Sequence, residues 1–149
     1  MARCSCTFQI EGTSVKGIYV LVIVVSRDVK LRIGALGSVD FEKGLYAYVG
    51  SAQNGLEKRV ERHFRKGKKK FWHIDYLLDN DAVGVVKVFY KEAGKSEECG
   101  IAGKLSEKGV AVKGFGCSDC SCVSHLFRID DCGLLRDFMS DMHLSFLLC

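Results

Sequence analysis

Two tyrosines sit in glycine-bounded apolar stretches, Gly17-Ile18-Tyr19 and Tyr48-Val49-Gly50-Ser51. A cation-dense segment follows, beginning Lys58-Arg59-Val60-Glu61-Arg62-His63. These residue types suit one chemistry, which is holding a phosphodiester and moving a proton beside it. Arg59 offers a planar fork that can donate two hydrogen bonds to phosphate oxygens as charge builds on them. His63, four residues on, shares a helical face with Arg59 and could bond the same oxygens or carry a proton. A phenol has a pKa near about 10, so Tyr19 acts as a base near neutrality only where neighbouring cations or a metal-bound water favour the phenolate. Gly17, Gly50, Ser51, Lys58 and Arg62 flank these groups as substrate contacts. By type alone, Tyr19 and Tyr48 also read as large strand residues of a core, and the basic run as a solvated helix face.

A second constellation lies in Gly114-Phe115-Gly116-Cys117-Ser118-Asp119-Cys120-Ser121-Cys122-Val123-Ser124-His125. Cys117, Cys120, Cys122 and His125 would give zinc four soft ligands. Their spacing is one compact cluster rather than two separated pairs, and the commoner arrangement is thiols packed as small hydrophobes.

The elements that must position these residues follow from the apolar periodicity. Gly17 to Val25 is continuously apolar and β-branched, as a central strand is, and too short to span a bilayer. Lys30 to Leu36 alternates charged and apolar residues as a half-buried strand does, and Gly44 to Gly50 is an aromatic-rich strand. Short connections imply an antiparallel meander of these three. Asn54 is placed to cap a helix from about Leu56 to Lys66, with Leu56, Val60 and Phe64 toward the core and Gly67 ending it. Phe71 to Leu78 reads as a short helix, Val83 to Tyr90 as a strand, and Lys95 to Leu105 as a helix weakened by Gly100 and Gly103. A loop from Gly114 to Ser124, a strand from His125 to Ile129 and an amphipathic docking helix from Leu134 to Cys149 complete the chain.

The ordered combination of Gly17-Ile18-Tyr19, Tyr48-Val49-Gly50-Ser51-Ala52 and Lys58-Arg59-Val60-Glu61-Arg62-His63-Phe64 resembles the GIY-YIG nuclease domain over most of Gly17 to Leu105. The resemblance implies an α/β (α+β) fold, a small antiparallel sheet of about three strands flanked by helices, with an extra C-terminal strand or helix. It implies that Tyr19 helps activate the attacking water or hydroxide and that Tyr48 lies on an adjacent strand. It also implies that His73 lies at the edge of the site, and that a glutamate of the third helix, Glu98 with Glu97 next, holds a single Mg²⁺ or Mn²⁺. The stretch Gly114 to Leu126, with the lengthened segment Ser26 to Lys43, is similar to a mainly archaeal branch of these proteins. It extends the resemblance to about Ile129 and brings Asp119 and His125 into consideration beside the phosphate site.

At 149 residues the chain has the size of a single domain, here 1–149 with a core of about 17–105 and an extension over 114–149. With 48% hydrophobic and 27% charged residues it is not of the disordered class. The start Met1-Ala2-Arg3-Cys4-Ser5-Cys6 lacks the apolar core of a signal peptide, so eight cysteines are read as cytoplasmic thiols rather than a secreted disulfide scaffold. The net charge of +4 is modest, but Lys58, Arg59, Arg62, Arg65, Lys66, Lys68, Lys69 and Lys70 face only Glu61, so positive potential is concentrated there and the rest is slightly acidic. Three functions compete: a metal-dependent endonuclease acting on DNA rather than RNA, in repair or processing; a nucleic-acid-binding module without turnover; and a zinc-stabilised interaction protein using the cysteine loop.

Overall fold

The computed structural model describes residues 16–117, 120–130, 133 and 135, and the backbone of 143–146. Its spine is β1 (Gly17–Val25), the continuously apolar strand. Along its whole length β1 pairs antiparallel with β4 (Gly44–Ala52) on one side and β5 (Val83–Glu92) on the other. The sheet continues to six strands in the order β6-β7-β4-β1-β5-β8, with β6 at Val110–Ala111, β7 at Leu126–Ile129 and β8 at His143–Phe146. The expected mixed α/β class holds, with twice the expected strand number because the C-terminal segments add to both edges.

Both faces of β1 are covered, which is why it alternates nothing. Tyr19, Leu21, Ile23 and Val25 pack under α1 (Leu56–Phe64) and α2 (His73–Leu78), in a cluster with Leu56, Val60, Ile74 and Leu77. Ile18, Val20 and Val22 face the other way, toward Ile101, Ala102 and Leu105 of α3 (Ser96–Lys108). Burying a large aliphatic side chain stabilises by about 1.5–3 kcal/mol, so this strand anchors the fold.

The meander expected of the first three strands is not formed. The segment after β1 makes a separate hairpin, β2 (Val29–Arg32) with β3 (Ser38–Phe41), joined by a 3-10 turn at Gly34–Leu36. Its alternation leaves one apolar face, Val29, Leu31 and Val39, to lie on the core as a cover, whereas a place beside β1 demands apolar residues on both faces. Asn54 is not the cap of α1: Gly55 holds that position at φ 123, with no side-chain cap bond. The helix stops at Phe64, before the predicted Lys66, because Arg65 is extended. The docking helix predicted over 134–149 lies mostly outside the described residues, and within it His143–Phe146 is instead an edge strand paired with β5. No helix among the described residues is long and apolar enough to cross a membrane.

Candidate functional site

Where β1 begins and β4 ends, an open cleft of about 430 Å³ is lined by Tyr19, Tyr48, Gly50, Ser51, Arg59, His73 and Glu98. Five elements deliver these groups: β1, β4, α1, α2 and α3. The antiparallel register sets Tyr19 opposite Gly50 and Leu21 opposite Tyr48. Gly50 has a specific steric task, since a Cβ there would lie 2.4 Å from both Cζ and the hydroxyl of Tyr19. The Tyr19 ring rests on bare backbone. Gly17 does not line the cleft; its missing side chain admits the Lys91 carbonyl and Leu56, which a Cβ would meet at 2.6 and 2.8 Å.

His63 is not at the cleft surface. It is 3% exposed behind Tyr19, with Nε2 2.7 Å from the Tyr19 hydroxyl. Burial, then the nearby Lys68 charge, drives its pKa down to about 3, so the imidazole is neutral. Burial likewise raises the Tyr19 phenol well above its ordinary value, opposed by the Arg59 guanidinium beside it, and raises Tyr48 for the same first reason. Both tyrosines are therefore protonated near neutrality. The expectation that His63 touches the same oxygens as Arg59 is corrected: the ring lies behind Tyr19 and Tyr48 rather than in the cleft lining.

The cations of the basic run divide by task. Arg62 Nη1 and Nη2 donate to Asp75 at 2.6 and 2.9 Å, and Asp75, fully buried, also accepts the amides of Phe71 and Trp72. Lys66 donates to the carbonyls of Leu78, Asn80 and Val83, Lys68 to that of Arg65, and Lys70 pairs with Asp79 at 3.2 Å. Arg59 faces the cleft, reaches the Ser51 carbonyl at 3.3 Å and lies 4.3 Å from the centre of the Trp72 ring. Lys58 lines a neighbouring groove of about 240 Å³ with Arg59, Arg62 and Arg65; the two hollows share Asn54 and Arg59. His73 stands at the cleft edge, and its Nδ1 accepts the Gly116 amide at 2.9 Å.

Glu98, at the first turn of α3, also lines the cleft. Its Oε1 lies 2.9 Å from Nδ1 of His125, at ion-pair distance though off the direction of a linear hydrogen bond. The other nitrogen of that ring, Nε2, is 3.4 Å from Cys120 Sγ. Cys99, Cys120, Cys122 and His125 bring their ligand atoms within 4.8 Å of one another, a grouping able to hold a metal ion. Cys117, expected in this set, is not part of it; its Sγ lies 3.9 Å from the Val123 carbonyl. The place is taken by Cys99, which the loop motif could not reveal because it comes from α3. Burial, together with the adjoining Cys99 and Cys120 sulfurs, pushes the Cys122 thiol up to about 12. Asp119 lies outside the described residues.

Asp75, Phe71, Trp72 and Cys99 were the residues sequence reasoning missed. A signal existed for two of them, because Phe71 and Trp72 close the basic run and remain 66% and 39% exposed. Residues 18–147 match the model of a family described as Domain of unknown function DUF123. No curated protein and no solved structure matches the chain.

Proposed function

We propose that this chain, which belongs to the DUF123 family over residues 18–147, is a GIY-YIG-type endonuclease that hydrolyses DNA phosphodiester bonds in repair or processing. The observation that carries this reading is the convergence of Tyr19, Tyr48, Arg59 and Glu98 on one cleft continuous with a basic groove. Lys58, Arg59 and Arg65 along that groove supply a track for successive phosphates.

Arg59 holds the scissile phosphate, its fork donating to the oxygens on which charge accumulates. Tyr19 donates its phenolic hydrogen toward neutral His63 and keeps a lone pair for the attacking water, so it orients the nucleophile as a protonated phenol. Tyr48 shapes the wall behind the phosphate. Water forms the new P–O bond, the bond to the leaving oxygen breaks, and the proton released by water ends on that oxygen. Among the described residues Glu98 is the carboxylate that lines the cleft, and a lone carboxylate with substrate phosphate and water suits Mg²⁺ or Mn²⁺. Held there, such a cation would supply charge neutralisation for the leaving oxygen. For the Cys/His cluster, three sulfurs and an imidazole select Zn²⁺ instead.

The test is cleavage of labelled single-stranded, duplex and branched DNA with Mn²⁺ or Mg²⁺. Cleavage by the native chain, reduced about 100-fold or more in Arg59→Ala, is the expected result. Absence of cleavage on all three, with Arg59→Ala binding DNA as well as the native chain, refutes the reading. The protonated Tyr19 and neutral His63 favour a second reading, a nucleic-acid-binding module without turnover. It shows binding without products, and with three groove cations a log–log salt slope of about −2 to −3.

A further inference from the structure

We propose that Cys99, Cys120, Cys122 and His125 form a zinc centre whose task is to orient Glu98 at the cleft, so that a soft-ligand site governs a hard-ligand one. The zinc half stands on geometry alone; the role given to Glu98 rests on the phosphodiesterase reading above.

The separations suit zinc. With Zn–S near about 2.3 Å and Zn–N near about 2.0 Å, tetrahedral ligand atoms stand roughly 3.5–3.8 Å apart. The Cys120 to His125 distance is already 3.4 Å, and the widest separation in the set is 4.8 Å, closed by shifts of about an ångström. Four protein ligands without a carboxylate make a closed, structural site. Cys99 belongs to α3, Cys120 and Cys122 to the loop before β7, and His125 immediately precedes β7. Phe115 anchors that loop in the core, with Val112 and Cys122 packed against the core clusters, whereas Val123 is 48% exposed. A shared ion ties it to α3.

The second observation is independent of the sulfurs. His125 is 2% exposed and turns Nε2 to the cysteines while Nδ1 meets Glu98. Metal-bound histidines donate their other N–H to a carboxylate, which fixes the ring and, reciprocally, the carboxylate; the 2.9 Å separation of His125 Nδ1 from Glu98 Oε1 brings that pair together here, though not in line. One Glu98 oxygen is thereby committed to the zinc ligand, and the other is left for the cleft. Cys99 follows Glu98 directly in the chain, so zinc grips the glutamate from two sides, through its neighbour and through His125.

The experiment measures zinc by elemental analysis in protein purified under reductant, records the spectrum after Co²⁺ substitution, and titrates Mn²⁺ at the cleft by electron paramagnetic resonance. One zinc per chain, and tetrahedral Co²⁺–thiolate absorption, are expected. Cys99→Ser should lose most of the metal and weaken Mn²⁺ binding about tenfold, whereas Cys117→Ser changes neither. Glu98→Gln should keep zinc, with affinity lowered about 10–100-fold, and lose Mn²⁺ binding. Should Cys99→Ser fail to fold, zinc removal from the native chain by a chelator, with circular dichroism to verify the fold, provides the same comparison. Zinc absent or replaced by iron, or Cys117→Ser losing as much as Cys99→Ser, overturns the centre. Zinc loss that leaves Mn²⁺ affinity unchanged overturns the coupling. A chain that never cleaves DNA but meets the metal results sinks the nuclease reading alone.

Discussion

Asp75→Asn tests whether the basic run is anchored as the structure indicates. The carboxylate is fully buried and accepts four N–H bonds: two from Arg62 and one each from the amides of Phe71 and Trp72. Asparagine keeps one oxygen, removes the charge, and turns an NH₂ toward donors. Breaking one side of a buried ion pair costs about 3–5 kcal/mol. Arg62 retains 16% exposure and can recover some hydration, so the lower end applies, about 3 kcal/mol. At a urea dependence of about 2 kcal/mol per molar, the midpoint falls by about 1.5 M. Burial pushes the Asp75 carboxyl up, but Arg62 and the two amides outweigh it and hold the pKa below the usual value. A depressed carboxylate stabilises above its unfolded pKa of about 3.8 and ceases to do so as pH falls through the folded value, so the difference should be flat above about pH 5. Circular dichroism follows global unfolding. Trp72 is the only tryptophan and lies in the cleft, so its emission separately reports the local consequence. A midpoint shift under about 0.3 M, or strict additivity with Arg62→Met, would refute the anchoring argument.

Gly50→Ala drives a methyl into the Tyr19 ring, which burial and His63 hold in place, and should cost about 1–3 kcal/mol as an overpacked core does. A melting temperature equal to that of the native chain would mean the ring is not pinned there. His63→Phe should remove an acid liability. The folded pKa of about 3 lies below the unfolded value near about 6.5, so the unfolded chain binds the proton first and stability falls as pH drops between them. The slope is about 1.4 kcal/mol per pH unit. Between pH 6.5 and 4.5 the native chain should therefore lose about 2–3 kcal/mol more than the variant in urea titrations, and parallel curves would contradict a neutral buried His63.

Legibility in the sequence depended on whether a residue's partner was local. β1 was readable because a strand buried on both faces must be apolar throughout, and α1 because Leu56 and Val60 recur at helical spacing. The pairing of β1 with β5 was not readable: the two are more than fifty residues apart, and composition does not record which edge a strand takes. The eight cations looked alike as a run. Only the fold shows that Arg62, Lys66, Lys68 and Lys70 bind the protein itself while Arg59 faces the cleft and Lys58 its neighbouring groove. The same reason hid Cys99, whose sulfur partners lie across a loop rather than along a motif.

Tyr19 shows how that division of cations bears on chemistry. Burial makes its phenolate costly, and Arg59 is the cation beside it that opposes burial. Were Arg62 equally free, two guanidinium groups would press the phenol toward ionisation, but Asp75 neutralises Arg62 and returns a negative charge that disfavours the phenolate. His63, kept neutral by the same burial, gains a proton only at a cost. The balance leaves Tyr19 a protonated hydroxyl held 2.7 Å from His63 Nε2, which in the proposed reaction would orient the attacking water. If the chain is the phosphodiesterase proposed above, charge stabilisation would then fall to Arg59 and to a cation at Glu98, and the positioning of that carboxylate would matter more to turnover than the basicity of the tyrosine.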